Sequence, residues 1–168
     1  MDYTLGLAFG LAVGVGLVAL AYKSNVLDMT FDERQELARG KAYCYGFFTL
    51  MGCLLVWGFT ESAVGVWCDT LTGSALCISI SMTVFAVTCI RNDAYLSLKE
   101  SPRKVMMSFV LVAVANFSIG LIHVVNGTVI EDGRLTTGSV NLMFGVMMLV
   151  IMLVYLVDHC LRGREEAE

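Results

Sequence analysis

Long apolar stretches alternate with short polar segments along this chain. The five apolar stretches cover residues 3–22, 42–60, 70–90, 105–127 and 136–158. Each has roughly the 17–25 residues that a helix needs to cross a hydrocarbon core about 30 Å thick. The pattern predicts an all-α membrane protein, a bundle of five transmembrane helices that forms one membrane domain over residues 1–168.

The Lys and Arg residues predict how the helices are threaded. Ten of the eleven follow the first, third or fifth apolar stretch, and only Arg134 lies in a segment of opposite sidedness. Cytoplasmic segments carry the excess of positive charge in multi-pass membrane proteins. We therefore expect the N-terminus outside and the C-terminus inside, with the first helix retained rather than cleaved as a signal peptide.

The segment between the first two stretches carries most of the ordered polar sequence. Thr30 and Glu33 have the spacing of a capping box, and acidic residues precede basic ones as the helix dipole favours. This predicts a short cytoplasmic helix over residues 31–41. Its polar residues either contact a partner or are simply solvated at the start of the helix. The candidate contact residues are Asp32, Glu33, Arg34, Gln35 and Arg39.

Part of this segment carries a resemblance. Residues 32–35 read DERQ, 38–42 read ARGKA, 47–48 read FF, and 91–95 read RNDAY. In these motifs the chain resembles small uncharacterised integral membrane proteins of Gram-positive bacteria with a "DERQ…RGKA…FF" signature. The resemblance implies a multi-pass protein of the bacterial cell (inner) membrane and adds no catalytic residue.

The first stretch has a face of small residues. Gly6, Gly10 and Gly14 recur every four residues, so they lie along one side of a helix. Such a face lets a second backbone approach closely. We favour packing against the other helices of this chain over docking of a partner protein.

Net charge and cysteine content limit the classes of partner that we expect. The formal net charge is −4 and no basic stripe exists, which argues against nucleic acid as a partner. None of the six cysteines forms a C-x-x-C pair, and most lie in predicted helices, where a thiol acts as a small apolar group. Pairing of Cys68 with Cys77 is the less favoured alternative. The expected partners are the lipid bilayer and either another membrane protein or a second copy of this chain.

Polar residues gather near the predicted outer boundary. With Asp2, fixed charges on that side sum to five acidic and one basic. His123 is expected several residues inside its helix, where an ionisable group indicates a partner or a wet cavity. Two interpretations follow, a cation-attracting vestibule and, favoured, a polar interface end with a neutral hydrogen-bonded histidine. The vestibule candidates are Glu61, Asp69, His123, Asn126, Glu131, Asp132 and Asn141.

Enzyme motifs are missing from the chain. No H-E-x-x-H, G-x-S-x-G or phosphate loop occurs, so we expect no catalytic centre, cofactor or metal. The favoured function is a non-enzymatic accessory or regulatory subunit that binds another membrane protein. The alternative is a small transporter or substrate-binding membrane subunit. A short echo between residues 71–75 and 135–140 supports this alternative, although chance explains the echo slightly better.

Overall fold

The described part of the protein, residues 30–165 of a computed structural model, is mostly helical. Four helices run over Glu33–Val64 (α1), Thr70–Arg91 (α2), Pro102–Val125 (α3) and Val140–Glu165 (α4). All four are long and apolar enough to cross a membrane, which is consistent with a multi-pass membrane protein. The described helices thus number four rather than five. The predicted helix at 3–22 and its glycine face lie outside the described residues.

Helix α1 differs from the prediction at its start. The predicted short helix 31–41 and the span 42–60 are one continuous helix of 32 residues. The prediction of a capping box at Thr30 and Glu33 is wrong. Asp32 is the N-cap: its carboxylate accepts a hydrogen bond from the Gln35 backbone N–H at 2.7 Å, and the Gln35 side-chain oxygen accepts from the Asp32 N–H at 3.3 Å. Both pairs have capping spacing, and the carboxylate of Asp32 stands at the true helix start.

The helices pack in the order α1, α2, α4, α3, so that the most buried helix, α2, lies between α1 and α4. Small residues bring the backbones together. The Ser81 hydroxyl of α2 donates to the Gly46 carbonyl of α1 at 2.8 Å. Ala86 and Ile90 of α2 form a buried cluster with Met147 and Ile151 of α4. Close packing of small and apolar side chains is what holds helices together in lipid, where no hydrophobic force acts between them.

Two ends of the bundle are distinct. The hairpin end comprises residues 65–69 and 126–139, which connect α1 to α2 and α3 to α4. The clasp end comprises residues 30–35, residues 92–101 and the last turns of α4. The neighbour order is the one that two adjacent helical hairpins would give, with α2 and α4 innermost and both starting at the hairpin end.

Candidate functional site

The connection between α3 and α4 contains a small β-hairpin. Strand Ile130–Glu131 (β1) pairs antiparallel with strand Arg134–Leu135 (β2). Asp132 and Gly133 form the turn, with φ of 50° and 75°. Two positive φ angles are what a type I′ turn requires, and Asp-Gly is among the pairs that adopt them at least cost.

Backbone hydrogen bonds tie this hairpin to the other connection. The Leu135 N–H donates to the Trp67 carbonyl at 2.9 Å, and the Asp69 N–H donates to the Leu135 carbonyl at 2.9 Å. Residue 68 therefore pairs with residue 135 as an isolated parallel bridge. The start of α2 and the β-hairpin are held side by side, which brings distant polar residues to one place.

A polar cavity of about 440 Å³ opens at the hairpin end. Three connected segments contribute to its wall, the start of α2, the last turn of α3 and the loop before α4. The lining residues are Asp69, His123, Thr128, Glu131, Asp132, Arg134, Thr136, Thr137 and Gly138. Its volume falls in the range of about 300–1,000 Å³ that is usual for small-molecule sites.

His123 occupies a defined position in this wall. It lies in the last turn of α3, nearer the helix end than the sequence suggested, and its Nδ1 is 2.8 Å from the Thr128 hydroxyl oxygen. Gly138 also lies close to the ring: a Cβ there would stand 3.1 Å from Nδ1 and 3.2 Å from Cγ. The imidazole thus makes one hydrogen bond, and the space beside it is too narrow for a side chain at residue 138.

Threonine hydroxyls hold the loop together around the histidine. Thr136 Oγ1 donates to the Thr128 carbonyl and accepts from the Gly138 N–H at 3.2 Å, so it caps the short helical turn Thr137–Ser139. The Thr128 N–H donates in turn to the His123 carbonyl at 3.0 Å. Local side-chain bonds of this kind satisfy loop backbone that has no ladder partner.

The cavity carries an excess of negative charge. Three of its lining residues are acidic, Asp69, Glu131 and Asp132, and Arg134 is the one Lys or Arg among them. Within residues 30–165, no three His, Cys, Asp or Glu side chains are placed to hold one metal ion together. The chemistry of the wall is therefore attraction for a positive group by fixed carboxylates, with several hydroxyls able to accept or donate hydrogen bonds.

The predicted vestibule residues divide into two groups. Asp69, His123, Glu131 and Asp132 line the cavity, whereas three predicted members do not: Glu61, Asn126 and Asn141. The sequence prediction missed the threonines at 128, 136 and 137 and the close approach at Gly138. One signal could have found them, because an Asp-Gly pair marks a hairpin whose flanking residues must lie together.

The cysteines of the protein do not form disulfides with one another. All six are free, and Cys68 and Cys77 are both buried without forming a disulfide. Burial raises the pKa of Cys68, and the neighbouring carboxylates of Glu61 and Asp69 add to the increase. The thiol therefore stays protonated at neutral pH, which suits a small apolar packing role.

The opposite end of the bundle is closed by a polar clasp centred on Asp93. Its carboxylate pairs with Arg34 of α1 at 3.3 Å and with Arg162 of α4, and its carbonyl accepts from the Gln35 side chain at 2.6 Å. Asp93 has a φ of 53°, in the left-handed region. Burial raises the pKa of nearby Tyr95 to about 12, so its hydroxyl stays protonated.

Most of the residues predicted to form the cytoplasmic contact helix take part in the clasp. Arg34 and Gln35 contact Asp93, the Arg39 guanidinium donates to the Ala94 carbonyl at 3.0 Å, and Asp32 caps α1. Glu33 instead lines an open depression along α1. The motif segments DERQ and RNDAY therefore bind each other within one chain, and their polar groups are largely engaged internally.

No protein-family model, no curated protein and no solved structure matches this chain. The resemblance to the small membrane proteins with the DERQ signature therefore rests on the quoted motifs alone.

Proposed function

We propose that this chain is a non-enzymatic subunit of the bacterial cell membrane that binds a cationic group in the cavity at its hairpin end. The observation that supports this most strongly is that Asp69, His123, Glu131 and Asp132 line one cavity, whose volume is about 440 Å³. These residues come from segments more than 50 positions apart, and backbone bonds between the two connections hold them together.

The proposal includes the threading expected from the sequence. The four described helices cross the membrane, with the start of α1 and the end of α4 inside. The hairpin end then faces outward as a vestibule. Arg134 is the single Lys or Arg in residues 65–69 and 126–139, whereas most other cationic residues lie towards the clasp end, and the side with the excess of positive charge is cytoplasmic. A negative cavity at the membrane surface raises the local concentration of cations by long-range attraction.

The cation has two candidate sources. As an accessory or regulatory subunit, the chain would receive a Lys or Arg side chain from another membrane protein or a second copy of itself. As a substrate-binding subunit, it would receive a small organic cation. The concave shape and ligand-sized volume of the cavity favour the second, since protein partners more often meet flatter surfaces.

The test is a titration of the purified protein with tetramethylammonium, followed by the thermal midpoint in a non-ionic detergent. Asp69→Asn combined with Glu131→Gln is expected to raise the half-saturating concentration about tenfold, because two of the three carboxylates lose their charge. Glu61→Gln is the matched control, since the Glu61 carboxylate is close enough to act on Cys68 but does not line the cavity.

Equal binding by all three proteins would contradict the vestibule. Mass spectrometry of material that co-purifies from native membranes distinguishes the two sources. A protein that stays with the wild type and is lost from the double variant indicates an accessory subunit, and a small molecule lost in the same way indicates a substrate-binding subunit.

A further inference from the structure

An apolar groove runs along the bundle between α2 and α4. Its volume is about 400 Å³ and its lining is almost entirely aliphatic or methionine side chain. Three hydroxyls in its wall are already engaged: Ser79, Thr83 and Ser139 donate to carbonyls of their own segments at 2.7–2.8 Å. The groove therefore offers no spare hydrogen-bond donor and suits an occupant that is a plain hydrocarbon chain.

The length of the groove matches one leaflet of a bilayer. The lining extends from Ser139, in the helical turn before α4, to Val150 of α4, and eleven helical steps span about 16 Å. The hydrocarbon core of a membrane is about 30 Å thick, so one leaflet is roughly half of that. A chain that entered at the hairpin end would reach the middle of the membrane and stop.

The groove and the polar cavity share a wall. Thr128, Thr136 and Gly138 line the cavity, whereas their immediate neighbours Val129, Leu135 and Ser139 line the groove. Leu135 and Thr136 are consecutive residues of extended backbone, whose side chains point to opposite sides, so a single layer of the loop separates the two spaces. An amphiphilic molecule that straddles the edge of this layer would occupy both.

We propose that the occupant is an amphiphile with an ammonium head group and a long alkyl chain. The inference rests on the proposed cation-binding function and names the class of ligand. The carboxylates of Asp69, Glu131 and Asp132 attract the ammonium group, and the α2–α4 groove receives the chain. The same charges disfavour the anionic head groups of ordinary bacterial phospholipids, which gives the site selectivity over the surrounding lipid.

The test compares a cation with and without a chain in two matched variants. The probes are hexadecyltrimethylammonium and tetramethylammonium, added to the protein in a maltoside detergent. Ile80→Trp fills the groove, and Ile78→Trp is its control, because Ile78 does not line the groove although its exposure is similar, 46% against 41% for Ile80. Val146→Trp obstructs the groove from the facing helix.

Ile80→Trp and Val146→Trp are each expected to weaken binding of hexadecyltrimethylammonium about tenfold and to leave tetramethylammonium unchanged. Ile78→Trp should change neither. If the chain adds no affinity, or if Ile78→Trp acts like Ile80→Trp, the amphiphile inference is overturned. The proposed function survives that result as long as tetramethylammonium still requires Asp69 and Glu131, and it fails separately if those residues are without effect.

Discussion

Gly73→Ala is expected to destabilise the bundle by about 1–3 kcal/mol, as overpacking of a close helix contact does. The indole ring of Trp57 from α1 lies directly on Gly73 of α2. A Cβ at Gly73 would fall within 2.8 Å of the indole nitrogen and closer still to the ring carbons. The rigid ring must turn away, and the α1–α2 contact opens at this level. Thermal and denaturant unfolding in a non-ionic detergent measure the loss.

Gly58→Ala is the matched control for this prediction. Gly58 lies in the same region of α1, and a Cβ there would have no neighbour within 4 Å. The change should leave the free energy of unfolding unaltered or raise it by up to about 1 kcal/mol, through the better helix propensity of alanine. Trp57→Leu should restore part of the stability of Gly73→Ala, since the smaller side chain removes the clash. Equal stabilities of Gly73→Ala and Gly58→Ala would contradict the contact.

Gly138→Ala is expected to damage the cavity as well as the fold. A Cβ at Gly138 would stand 2.6 Å from the Thr128 carbonyl oxygen and 3.1 Å from Nδ1 of His123. The first neighbour is backbone and cannot rotate aside, so the loop must move. We expect a loss of about 2–3 kcal/mol and at least tenfold weaker binding of tetramethylammonium.

The control for Gly138→Ala lies in α1. A Cβ at Gly40 would have no neighbour within 4 Å, so Gly40→Ala should leave cation binding as in the wild type and, like Gly58→Ala, leave the free energy of unfolding unaltered or raise it by up to about 1 kcal/mol. A Gly138→Ala protein that keeps wild-type affinity would show that the packing around His123 does not shape the binding cavity.

The helices were largely predictable, because uncharged stretches of this length have few alternatives to membrane spans. The helix predicted at 70–90 is observed as Thr70–Arg91, and the one predicted at 105–127 is observed as Pro102–Val125. The start of α1 was harder, since Thr30 and Asp32 both precede a residue able to close a capping box three positions on. Only the backbone geometry decides between them.

The candidate site was predictable in its residue types but not in its assembly. The bounds of the apolar stretches place Asp69 and His123 near the same membrane boundary, yet they cannot show that residue 68 pairs with residue 135. That pairing depends on the Asp132–Gly133 turn and on the backbone bonds of Leu135, which are long-range contacts. The clasp also depends on a long-range contact, since Arg34 and Asp93 are 59 positions apart in the sequence.

The side of the membrane on which the cavity lies is the decisive observation, because an outward-facing vestibule must be reachable from outside the cell. The exposed native thiols Cys44 and Cys160 are first replaced by serine. A membrane-impermeant maleimide is then applied to intact cells that carry Glu131→Cys or Glu33→Cys. We expect residue 131 to be labelled in intact cells and residue 33 to be labelled only after permeabilisation. Labelling of residue 33 from outside, with residue 131 protected, would contradict this expectation.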